Sequence, residues 1–317
     1  MGLSIYAERS KKINIDGDIS SDNEKIWNQY YRAMKMKGLS DKTIYNYECD
    51  LKQWFKFMNK EQFGLSILDA TEDDISEFLF YCQEQGNNAN RIKRRMSSIS
   101  ALYIFLKKKR LTKENPVELL DRPTTAKPVV VQTYLTSEQV SLMKDKLKEN
   151  GDLQLETYAL LSLSTMGRVN AISNIKWKQI DFEECEIREV LEKGDKVVDL
   201  FFNQEVKKLL IKLKAYREVN GIDTEYVFIS KKNGEYRKVV SSTLNQWAKK
   251  IGVMIGLEHG LHCHDFRHSG ATLLKNAGMP LEEVSVLLNH SSTDVTRKFY
   301  IKEDNRKLKE NKAKYEI

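Results

Sequence analysis

The reading of this chain turns on Leu261–Ile301, LHCHDFRHSGATLLKNAGMPLEEVSVLLNHSSTDVTRKFYI. His264, Asp265, Phe266, Arg267 and His268 come first, then Asn289 and His290, then Phe299 and Tyr300. Asn276-Ala277-Gly278 has the composition of a helix C-terminus, and Pro280 suits the first turn of a second helix. His264 and Arg267 are three positions apart, so a helix carries both on one face. Phe266, Ala271, Leu273 and Leu274 then turn to the core, as do Val284, Leu287 and Leu288 on the next helix. The set suits an anionic, oxygen-rich substrate. A guanidinium grips it, imidazoles move protons and a phenol attacks.

The pattern His264-x-x-Arg267, then Leu288-Asn289-His290, then Tyr300 resembles the C-terminal signature of the tyrosine recombinase (phage integrase) family. That resemblance implies two further parts upstream, an arginine opening the catalytic domain and a lysine on a β-hairpin. Thr165-Met166-Gly167-Arg168 resembles the first, with the glycine directly before Arg168 and Ala171 where an acidic residue is common. Glu192-Lys193-Gly194-Asp195-Lys196 resembles the family's Gly-Lys-Gly-x-Lys hairpin apart from its first residue. It implies Lys193 as the catalytic lysine, with Lys196 as the alternative. His290 and Tyr300 are ten positions apart, one more than is common in the family.

The rest of the chain agrees with a DNA-handling protein. Its 317 residues suffice for two domains, and 41% apolar with 31% charged residues fits a globular chain. Lys and Arg number 52 against 45 acidic residues, a net charge of +7 that favours a polyanionic partner. Cys49, Cys82, Cys185 and Cys263 have no CxxC spacing, as expected of reduced thiols rather than a disulfide frame or zinc finger. The opening MGLSIYAERSKK lacks an apolar targeting core and no run reaches membrane-spanning length, so the expected location is the cytoplasm.

The expected architecture is mostly α with a small β-sheet. Residues 1–20 read as a flexible arm. Residues 21–112 read as a helical unit, with helices from Asp22, Ser40, Thr71 and Asn88. The fourth carries Ile92, Met96, Ile99, Tyr103 and Leu106 inward and a basic face of Arg91, Lys93, Arg94 and Arg95, read as contacting DNA phosphates. Pro116, Pro123 and Pro128 mark 113–133 as a linker. Residues 134–301 read as a mixed α/β catalytic domain. It has a capping box at Thr136, strands over 175–182, 186–191 and 196–202, a Gly194-Asp195 turn, and a further strand over 226–230. Residues 302–317 form a charged tail. By resemblance, the two parts are a SAM-like core-binding domain and a tyrosine-recombinase catalytic domain, and the tail docks on a neighbouring protomer.

The implied chemistry is strand exchange on double-stranded DNA with paired recognition sites, by a homotetramer and with no metal or cofactor. Tyr300 attacks a phosphodiester and leaves a 3′-phosphotyrosine bond and a free 5′-hydroxyl. A phenol has a pKa near ~10, so it needs a proton acceptor and a stabilised transition state. Arg168 and Arg267 grip the non-bridging oxygens, Lys193 is the acid for the leaving oxygen, His264 the base, and His290 a hydrogen-bonding partner of the phosphate. Two rivals stand beside this. His259, His262, His264 and His268 with Cys263 could belong to a metal-dependent hydrolase, although no carboxylate sits as in an HExxH motif. The chain could also bind specific DNA without cutting it.

Overall fold

A computed structural model of the chain describes residues 17–124, 134–192 and 196–289. The chain divides into two compact units, 1–129 and 130–317.

In the first unit, α1 (Ser21–Met36), α2 (Asp41–Lys60), α3 (Glu72–Glu84) and α4 (Ala89–Lys108) each begin at a side-chain cap. Ser20, Ser40, Thr71 and Asn88 each accept a backbone N–H three residues on. Thr71 and Asp74 close a reciprocal box. Apolar stripes at helical spacing bury Trp27, Trp54, Phe55, Phe78 and Tyr103 in one core. Full burial of a large apolar side chain stabilises by about 1.5–3 kcal/mol. Two polar bonds hold the loop before α3. Asn23 Oδ1 accepts the Ile67 N–H at 3.2 Å, and the Tyr103 hydroxyl donates to the Ile67 carbonyl at 2.6 Å.

This unit reaches further along the chain in both directions than the sequence implied. Ile19, expected in the loose arm, is buried, and Asp18 pairs with Lys56 at 2.7 Å. Asn115 and Val117, expected in the linker, are buried too, and Asn115 Nδ2 donates to Ser100 Oγ at 2.9 Å. Proline content alone did not reveal that the stretch starts with an apolar anchor. Residues 125–133 lie outside the described residues.

The second unit opens with α5 (Ser137–Asn150), capped by the Thr136–Gln139 box and ended by Gly151 at φ +72. Next comes α6 (Leu153–Thr165), with Leu155, Tyr158, Ala159, Leu160 and Leu161 buried around much of its circumference. A helix so apolar is central, and α6 packs against α8 and α10. There follow α7 (Val169–Asn174), a 3-10 turn (Trp177–Gln179), and β1 (Ile180–Asp181), β2 (Glu186–Leu191) and β3 (Val197–Phe201), which form one antiparallel sheet in that order. Then come α8 (Gln204–Val219), the β4 (Ile229–Lys232) and β5 (Glu235–Lys238) hairpin, α9 (Ser241–Met254), α10 (Cys263–Asn276) and α11 (Leu281–Leu287).

Two strand expectations are corrected. The segment over 175–182 is mostly a 3-10 turn with a two-residue strand. Gln179 imposes this, because its amide accepts the Lys176 N–H at 2.9 Å and donates to the Glu189 carbonyl at 2.9 Å. The strand expected over 226–230 starts at Ile229, because Tyr226 bridges to Lys176 and Val227 donates to the Ile175 carbonyl instead. The Gly194-Asp195 turn lies outside the described residues.

One irregularity in the sheet positions the site. The β2–β3 register shifts between Ile187 and Val190, and Glu189 has φ +55 with its N–H donating to Asp199 Oδ1 at 3.0 Å. A regular strand would bury Ile187, Glu189 and Leu191 together. The bulge inserts one residue, so Ile187 and Val190 are buried and Glu189 and Leu191 are exposed. Glu192, two residues beyond Val190, therefore turns inward.

Candidate active site

The site forms where α6 ends and α10 begins. Met166 closes α6 in the left-handed conformation at φ +53. Arg168 then stands at the N-cap of α7, its side chain 30% exposed. Its Nη1 donates to Glu192 Oε2, and the Glu192 side chain is 1% exposed.

Opposite, α10 starts at His262, whose Nδ1 accepts the backbone N–H of His264 at 3.3 Å. Asp265 Oδ2 accepts the His262 N–H at 2.6 Å and completes the cap. One turn in, Arg267 is 2% exposed. Its Nη1 donates to the Met166 carbonyl at 2.7 Å and its Nη2 to the Leu288 carbonyl. One buried guanidinium thus ties the end of α6 and the end of α11 to α10. The approach is close because residue 270 is glycine. A Cβ there would lie 2.4 Å from the Leu163 carbonyl oxygen and 2.7 Å from Met166 Cγ.

His264 is exposed, with its ring stacked on His262 at 5.6 Å between centroids. Lost hydration on the covered side, then the His262 imidazole and the Arg267 and Arg168 guanidiniums, hold its pKa below the ordinary histidine value. A lowered pKa keeps the ring in its base form at neutral pH, as removing a proton from a phenol requires. His268, half-buried behind it, is pushed down to about 4 by burial, then by His264 and Arg267. It is neutral at pH 7. Arg267 donates to the Met166 carbonyl, two residues before Arg168, and His264 stands one turn before Arg267 on α10, so the structure brings Arg168, His264 and Arg267 to the same end of α10. Lys193, His290 and Tyr300 lie outside the described residues. Lys196 is exposed, and its carbonyl accepts the Glu192 N–H at 2.8 Å.

Glu192 is the residue that sequence reasoning passed over. Its signal was present: an acid where the hairpin pattern has glycine, beside a box that lacks one at Ala171. Strand alternation without the bulge gave no reason to turn that acid inward.

Among the described residues no three His, Cys, Asp or Glu side chains are grouped to hold a metal ion. His262 Nδ1, within the histidine cluster, is taken by a backbone N–H.

On α4 of the first unit the basic face is narrower than expected. Arg91 is exposed and Lys93 half-buried. Arg94, its side chain 49% exposed, pairs with the buried Asp50 at 2.6 Å. Arg95 is corrected from surface to core. It is 2% exposed, and it donates from Nη1 to Cys82 Sγ at 3.0 Å and from Nη2 to Asn87 Oδ1 at 3.2 Å. Residue 95 belongs to the buried stripe of Ile92, Met96 and Ile99, and the run of four basic residues masked that periodicity. No described helix is long and apolar enough to cross a membrane.

Comparison with known proteins adds the following. Residues 133–307 match the phage integrase family, and residues 27–110 match the phage integrase N-terminal SAM-like domain. The chain is 30% identical over 278 residues to the tyrosine recombinase XerC of Leptospira interrogans, covering 86% of this chain and 87% of that protein. It is 26% identical over 267 residues to XerD of Haemophilus influenzae, covering 82% and 87%. Among solved structures, its fold is similar to a lambda integrase dimer bound to a core site, with TM-score 0.69, 18% identity, and 89% and 96% of the two chains covered. It is also similar to the Tn1549 transposon integrase in complex with circular intermediate DNA, with TM-score 0.68, 17% identity, and 92% and 99% covered.

Proposed function

This chain belongs to the phage integrase family, and from that premise we propose how its residues cut and rejoin DNA. It is a site-specific recombinase of the tyrosine type. Tyr300 attacks the scissile phosphodiester, forming a tyrosyl 3′-phosphate as the bond to the 5′-oxygen breaks. His264 takes the phenol proton and Lys193, or else Lys196, protonates the leaving 5′-oxygen. Arg168 and Arg267 fork onto the non-bridging oxygens where charge develops, and His290 donates to the phosphate. Attack by a 5′-hydroxyl of another strand reverses the step, so the bond energy is conserved and no ATP is consumed.

The observation that carries this reading is that Arg267 binds the carbonyl of Met166, two residues before Arg168, with His264 one turn away on the same helix. Mixing the chain with DNA that flanks its gene and denaturing should leave DNA covalently attached to protein, and Tyr300→Phe should leave none. An adduct that survives Tyr300→Phe would move the nucleophile elsewhere. No adduct with the wild-type chain would favour the non-cutting alternative.

The partner is double-stranded DNA at paired sites, brought together in the cytoplasm by four copies of the chain, with the tail 302–317 docking from one copy to the next. The SAM-like unit grips phosphates through α4. Affinity should therefore fall steeply with salt, as counterions are released. Changing Arg91 and Lys93 to Ala should weaken binding to every duplex alike and lower the salt slope by about one unit for each phosphate no longer neutralised. Unchanged slopes, measured by fluorescence anisotropy, would take α4 off the DNA. Arg95 is excluded from this test because its loss acts on the core.

A further inference from the structure

We infer that Glu192 is a positioning residue for strand cleavage, holding Arg168 with its carboxylate and the lysine-bearing hairpin with its backbone. The inference rests on the reading of Arg168 as a phosphate-gripping residue.

Four observations carry it. The Glu192 carboxylate is 1% exposed and accepts from Arg168 Nη1. Its backbone N–H donates to the Lys196 carbonyl at 2.8 Å, joining the end of β2 to the residue before β3. The bulge at Glu189 is what turns residue 192 inward, so the strand departs from regular pairing to deliver this side chain. Finally, Glu192 Oε1 is buried with no hydrogen-bond partner among the described residues.

The last point decides between a structural and a functional role. A buried ion pair is weak evidence for stability, because desolvation opposes its Coulomb attraction. One with an oxygen that no described residue meets gains less still from its burial. What the carboxylate does accomplish is to fix a guanidinium. An arginine side chain has large rotamer freedom, and a half-exposed one would have to be immobilised as the transition state forms. Held by Glu192 beforehand, Arg168 meets the phosphate already oriented. A guanidinium has five N–H donors, so an ion pair on Nη1 does not exhaust it. Because α7 carries no acidic residue in its first turn, the counter-charge comes from the sheet instead. Glu192 thereby links Arg168 to Lys196, the residue before β3.

The test uses the full chain. Its footprint on DNA flanking its gene defines a duplex, and a nick beside the cleavage point lets the cut fragment diffuse away so that the covalent adduct accumulates. Adduct formation is followed at increasing protein concentration. This separates the plateau rate from the half-saturating concentration, and thermal unfolding of each variant is recorded alongside. Glu192→Ala should lower the plateau rate by roughly ten- to a hundredfold while half-saturation stays near wild type. Glu192→Gln keeps the shape and one acceptor oxygen for Arg168, so it should recover part of the rate. Wild-type or faster plateau rates in both variants overturn the inference. So does a loss that lies wholly in half-saturation, or an Ala and Gln pair equally slow and equally unfolded. A wild-type chain that forms no adduct on its footprinted duplex overturns the recombinase reading, and this inference with it.

Discussion

Arg267→Ala should abolish the covalent adduct and also unfold the second unit well below the wild-type temperature. The two losses have separate causes. Removing a preorganised donor to the developing charge costs about 3–4 kcal/mol, a rate loss of roughly a hundred- to a thousandfold. The same change empties a buried site and leaves the Met166 and Leu288 carbonyls without their donor. An unmet buried acceptor costs about 1–3 kcal/mol, so two of them plus the cavity amount to roughly 3–5 kcal/mol or more. The sequence marks Arg267 only as a grip on the phosphate, and its bonds to the two carbonyls make it a structural residue as well. Arg267→Lys keeps a charge but not the fork that meets two carbonyls, and it should fall between in stability while remaining defective in cleavage. Calorimetry of the full chain checks the first effect and adduct trapping the second. An Arg267→Ala protein as stable as wild type would mean that the two carbonyl bonds do not hold α6 and α11 to α10.

Arg168→Ala should show a different pattern, in which a second substitution rescues the fold but not the activity. Alone it strands the Glu192 carboxylate in the protein interior, and breaking one side of a buried pair typically costs about 3–5 kcal/mol. Arg168 is partly exposed, which places the expected loss at the lower end of that range. Replacing Glu192 by Ala in the same chain removes the stranded charge. The double variant should regain much of the lost urea midpoint and still form no adduct above about a hundredth of the wild-type rate. Equal midpoints for the single and double variants would mean that the stranded carboxylate is not what destabilises Arg168→Ala. Recovery of cleavage in the double variant would remove Arg168 from the chemistry.

These two arginines also mark how far the sequence could be read. The capped helices, the aromatic cores, and Arg168, His264 and Arg267 as candidates were legible, because caps, apolar periodicity and short spacings are local. What escaped was non-local. Arg95 looked exposed in a run of basic residues, and its burial against Cys82 and Asn87 depends on how α3 meets α4. The role of Gln179 in winding 177–179 into a 3-10 turn depends on its reach to β2. Gly270 gave no sign that a neighbouring carbonyl would lie where its Cβ would be. Glu192 was hidden by a single inserted residue, which overturned the alternation from which inward and outward faces are counted.

That inserted residue also bears on how this protein can diverge. A substitution in β2 alters one side chain, whereas straightening the bulge between Ile187 and Val190 without losing a residue exchanges the two faces of everything up to Glu192. A lineage that kept the length of β2 but paired it regularly through Glu189 would present Leu191 to the interior and Glu192 to solvent, and Arg168 would lose its counter-charge, whereas one that dropped Glu189 would pair Ile187, Arg188, Val190 and Leu191 regularly and keep Glu192 inward. Loss of the one bulge residue is therefore tolerable by itself, whereas a regular strand of the present length should be found only where an acid has been regained elsewhere beside Arg168.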